Sequence, residues 1–132
     1  FFERSSYWLD RYLNPGSPSA ADPRQAISDA AELARTFRKN SDPNVSDVAL
    51  LLTAIRLGLR DIILCASGME RSQLTWPERE RLTAALSHKV PLARLVGLME
   101  YIQDAEQIFR RPLNPTLVVE DTLMRVVTAI RA

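Results

Sequence analysis

Apolar residues recur along the chain at three- and four-residue spacings, and no segment sustains the two-residue alternation of a half-buried strand. The pattern predicts an all-α fold, a compact bundle of about six helices. Residues 3–13 set Tyr7, Trp8, Tyr12 and Leu13 among charges. Asn14-Pro15-Gly16-Ser17-Pro18 then breaks the helix with successive turn formers. Asp22-Pro23 starts a second helix, with the aspartate as cap and proline at a position that needs no donor. It runs to about Lys39 with Ile27, Ala30, Ala31, Leu33, Ala34 and Phe37 on its apolar face.

Ser46 can cap a third helix over 46–67. Val48, Leu51, Leu52, Ile55, Leu59 and Ile62 fall at core spacing, and Leu50, Leu57, Ile63 and Leu64 add apolar surface on other sides. A helix apolar nearly all round must be covered on several sides, so this one is expected at the centre. Gly68 supplies its stop. Thr75-Trp76-Pro77-Glu78 has the form of a capping box, with threonine as cap and glutamate three positions on, and starts a short fourth helix to about Leu86. Pro91 opens a fifth, where Leu92, Leu95, Met99, Ile102, Ala105 and Phe109 follow helical spacing. Asn114-Pro115 opens the last, with Leu117, Leu123, Val126, Val127 and Ile130 on its apolar face.

With 132 residues the chain has the length of one domain, on a prior of roughly 150 residues each. It opens on Phe1, which leads us to expect a fragment of a larger protein. Seventeen Lys and Arg against 16 Asp and Glu leave a formal charge of +1, which is not the footprint of an autonomous nucleic-acid-binding domain. The longest apolar run is about five residues, against the roughly 18 that suggest a membrane span. A single cysteine, Cys65, can form neither an internal disulfide nor a tetrahedral zinc site, and is in keeping with a reducing compartment such as the cytoplasm.

No phosphate-cradling glycine loop, zinc-type Cys/His pairing or nucleophile elbow occurs. His88 is the sole histidine, beside Lys89, and is expected in solvent. Cys65 is expected as an inert thiol on an apolar helix. Glu100 and Asp104 share a helix face at i,i+4, but nothing completes a metal site. Arg110-Arg111 falls at a helix end, where cations meet the negative end of the macrodipole. The reading is therefore a non-catalytic domain with no cofactor and no metal. Arg60-Asp61 interrupts the most apolar helix, either at a solvated edge or as an ion pair between helices or subunits, since such groups are seldom buried unpaired. Glu120 poses the same alternatives. Together with Arg125, these are the candidate interface or ion-pair positions.

Two stretches resemble a known family. Gly58-Leu59-Arg60-Asp61-Ile62-Ile63-Leu64 is similar to the Trp-Leu-Arg-Asp-Leu-Leu-Leu run of the C-terminal domain of bacterial DNA polymerase III delta prime subunits. Asn114-Pro115-Thr116-Leu117-Val118-Val119-Glu120, continuing to Leu123-Met124-Arg125-Val126, resembles that family's final helix, Asn-Pro-x-Leu-x-x-Glu-x-Leu-Leu-x-Arg-Leu. Ala26 to Lys39 looks like its Ala-x-x-Leu-Ala-Glu-x-Leu helix. Gly58 stands at the family's usual tryptophan and Thr122 at a usual leucine.

The resemblance implies a collar domain. In clamp loaders, five such helical domains pack into a ring from which the AAA+ ATPase modules hang, and the loader places the sliding clamp on DNA during replication. The implied partners are the gamma/tau and delta type subunits, with no direct nucleic-acid contact from this domain and no membrane. A gamma/tau-type collar and an unrelated helical protein-interaction adaptor are the alternatives.

Overall fold

A computed structural model describes residues 2–39, 47–108 and 115–131, with side chains over 4–35, 48–107 and 117–130. The described residues form six α-helices and no strand: α1 (Phe2–Tyr12), α2 (Pro23–Lys39), α3 (Asp47–Ala66), α4 (Glu80–Lys89), α5 (Leu92–Ile108) and α6 (Pro115–Arg131). None of them is long and apolar enough to cross a membrane. Ser46, Phe109, Arg110, Arg111 and Asn114 lie outside the described residues.

Helix α3 is central, as its all-round apolarity predicts: it packs against α1, α2, α4 and α5, while α2 lies along α6. Leu51, Leu52, Ile55 and Leu59 of α3 share one core with Leu95 and Ile102 of α5 and Leu123 and Val126 of α6. Gly58 lets α1 close on this helix. A Cβ there would lie 2.5 Å from Leu13 Cδ1 and 2.9 Å from Leu9 Cδ2, so the absent side chain makes room for Leu9 of α1 and for Leu13 just past its end. Thr122 is fully buried, and its hydroxyl donates to the Val118 carbonyl at 2.7 Å, which satisfies the polar atom within its own helix.

Local signals account for several helix ends. The Asp22 carboxylate accepts the Gln25 N–H at 2.8 Å, and the Gln25 side chain accepts the Asp22 N–H at 2.9 Å, a reciprocal capping box that begins α2. Gly68 ends α3 at a φ of 80°. There Met69 N–H bonds the Leu64 carbonyl at 3.0 Å and Gly68 N–H bonds the Cys65 carbonyl at 3.1 Å, the two bonds of a Schellman motif.

The start of α4 departs from the expected capping box. Pro77–Arg79 form a 3-10 turn ahead of the helix, and no side chain caps either element. Thr75 instead turns its hydroxyl to Arg60, which donates to it at 3.3 Å, and the chain is held from outside by Asp61 of α3. Helix α4 also runs past Leu86 to Lys89, because Leu86 is buried and its carbonyl accepts Val90 N–H at 2.9 Å.

Four apolar positions expected on core faces point outward instead: Ile27, Ala31, Leu92 and Leu117 are all exposed. Core positions on their helices are Ala26, Ala30 and Leu33, then Leu95, Leu98 and Ile102, and Val119, Leu123 and Val126. In each case the stripe facing the bundle is narrower than the run of apolar residues, and the surplus is left at its edge.

Candidate functional site

Helices α5 and α6 run antiparallel, so that Arg94 lies near Thr128 at one end of their shared face and Ala105 near Leu117 at the other. Between them the surface forms an open groove in two adjoining parts of about 660 and 510 Å³. Leu98, Met124 and Ala129 line the first part, and Ala105, Leu117 and Val118 the second. Tyr101 and Asp121 border both.

The polar centre of the groove is a three-residue cluster. The Tyr101 hydroxyl donates to Asp121 Oδ2, and Arg125 Nε lies 3.3 Å from the same oxygen. The Arg125 guanidinium carbon sits 4.2 Å from the centroid of the Tyr101 ring, a cation–π contact that fixes both side chains. Arg125 thus belongs to this cluster. Neither Tyr101 nor Asp121 stands out in the sequence; only the register of α5 against α6 brings them to Arg125. Glu120 is half-buried on α6 and has no ion pair among the described residues.

Gly97 also lines the groove. It is exposed inside α5, and a Cβ there would meet nothing within 4 Å. Glycine costs a helix interior about 1 kcal/mol relative to alanine, and neither packing nor backbone conformation among the described residues calls for it.

Arg60 and Asp61 lie elsewhere, on α3, and their roles are internal. Asp61 is 1% exposed, and its two oxygens accept Thr75 N–H at 2.8 Å and Trp76 N–H at 3.0 Å. Arg60 Nη1 stands 3.5 Å from Asp61 Oδ1 with its side chain half in solvent. The pair ties α3 to the segment that leads into α4, where Trp76 is buried in the core. A second clasp joins α1 to α2. Arg11 forms a two-pronged ion pair with Asp29, with Nη2 to Oδ1 at 3.0 Å, and the Tyr12 hydroxyl donates to Asp29 Oδ2 at 2.6 Å. Burial, and then the bond to Asp29, push the Tyr12 hydroxyl well above its ordinary value of 10.0. Arg56 and Glu106, 2.7 Å apart, tie α3 to α5.

His88 is exposed at the end of α4 and Cys65 is half-buried. Burial, and then the nearby carboxylates of Asp61 and Glu80, push the Cys65 thiol up, away from the thiolate that nucleophilic chemistry requires. Glu100 and Asp104 are exposed, and among the described residues no group of three or more His, Cys, Asp or Glu side chains could hold a metal ion. No protein-family model, no curated protein and no solved structure matches the chain.

Proposed function

We propose that this chain is a subunit-packing domain, the helical collar of a bacterial DNA polymerase III clamp-loader subunit of the delta prime type. Its contribution is architectural: by joining neighbouring subunits it raises the effective concentration of one ATPase module at the next. The observation that carries the reading is Leu117. It belongs to the Asn-Pro-x-Leu-x-x-Glu stretch of the resemblance, yet it stands 64% exposed at the mouth of the α5–α6 groove. An apolar side chain held out of its own core beside an apolar groove is suited to burial against another protein.

The test is native mass spectrometry of the protein that carries residues 1–132, mixed with gamma/tau and delta subunits. The wild type enters the loader complex, and Leu117→Asp, which leaves the helical circular dichroism unchanged, enters it at least about tenfold less well. Wild type that never joins the complex, or assembly indifferent to both Leu117→Asp and removal of the domain, overturns the collar reading in favour of an unrelated helical adaptor.

A further inference from the structure

One stripe of α5 along the groove reads Arg94, Gly97, Tyr101 and Asp104, at i, i+3, i+7 and i+10. These are the successive a and d positions of a heptad. None of the four is fully buried, and neither the Arg94 guanidinium nor the Asp104 carboxylate is paired among the described residues. The stripe is complementary to itself when reversed. Laid antiparallel on a copy centred at residue 99, Arg94 meets Asp104 and Gly97 meets Tyr101. Antiparallel coiled coils pair a positions with d positions in this way.

From this we infer that the groove receives α5 of a second copy of the chain, in a two-fold symmetric dimer. Charge and size both select this occupant. The cation at one end of the stripe faces the anion of the other copy across about 15 Å of helix, so both ends are matched at once. Gly97, which nothing among the described residues requires, opens the space that the partner's Tyr101 ring fills. That ring is held in advance by Asp121 and Arg125, so little freedom is lost on docking. The inference rests on the groove and not on the clamp-loader reading; because Leu117 borders the same groove, a second copy and a loader neighbour compete for it, and the test on the chain alone reads the copy without the neighbour.

Sedimentation equilibrium of the 132-residue chain alone tests it. The expected dimer has a Kd in the range of about 1–100 µM, suited to a contact built on one helix pair. By symmetry each ion pair occurs twice, so Arg94→Asp or Asp104→Arg places two like-charge pairs in the interface and weakens the dimer at least about tenfold. The double variant R94D/D104R restores the pairs in reversed order and returns the Kd to within about threefold of wild type. Gly97→Leu fills the space for the ring and weakens the dimer while raising the melting temperature of the monomer, which separates loss of docking from loss of fold. A monomer at about 100 µM overturns the proposal and leaves the groove to a helix of another protein. A dimer indifferent to the single reversals, or one that the double reversal fails to restore, overturns it as well.

Discussion

Asp61 and Asp121 are the same side chain in two opposite settings. Asp61 is sealed between α3 and the approach to α4, with each oxygen taken by a backbone N–H. Asp121 sits at the surface of the groove, where it orients Tyr101 and Arg125 and, among the described residues, holds no backbone. The first maintains the fold, because removing it would orphan two amides where water cannot reach. The second leaves its neighbours free to meet another surface. A charged residue in an apolar helix is therefore read correctly only once the donors around it are known.

The largest effect that separates the two settings is expected at Asp61. Asp61→Ala should cost about 3 kcal/mol in urea denaturation, since it leaves two buried N–H groups without acceptors. An effect below about 1 kcal/mol would show that water replaces the carboxylate and that the contrast with Asp121 is false. Gly58→Leu should cost about 2 kcal/mol by forcing Leu9 of α1 and the adjoining Leu13 away from α3. A variant as stable as wild type would mean that α1 repacks freely.

The clasp on Asp29 sharpens the contrast through pH. Tyr12 keeps its proton in the folded state above the ordinary value of 10.0, whereas the unfolded chain releases it there. Its stabilisation is thus complete below pH 10 and is lost as pH rises, by up to about 1.4 kcal/mol per pH unit. Melting curves from pH 9 to pH 11 should show this extra decline in wild type and not in Tyr12→Phe. An equal decline in both would assign it to other groups. The smallest effect is expected in the groove, where Asp121→Ala should change stability by less than about 0.5 kcal/mol, because exposed ion pairs contribute little. A loss comparable to that at Asp61 would make the Tyr101–Asp121–Arg125 cluster a fold determinant and erase the distinction.

Much of the fold is legible before any coordinates. Asp22 before Pro23, Gly68 after the α3 run and Pro91 before α5 act on the nearest few residues, and a local signal of that kind survives in any tertiary context. The Thr75 capping box misleads because a stronger acceptor, Asp61, comes from another helix and takes the backbone donors first. Leu92 and Leu117 mislead in a different way: apolar spacing tells which residues can face a core, not how wide the facing surface is. Of the candidate positions, Arg60 and Asp61 resolve as an internal pair and Arg125 as part of the groove. The partners that define that groove, Tyr101 and Asp121, come from two helices twenty residues apart.

By itself the sequence determined the number and type of helices, most of their ends, and the central place of α3, because these follow from spacing, caps and the need to cover apolar surface. Only the tertiary structure decided which carboxylate is buried, why position 58 holds no side chain, and where α5 and α6 leave a groove. Those properties belong to pairs of helices. They are set by register and crossing distance, which the packing of side chains far apart in the chain establishes and no local pattern encodes.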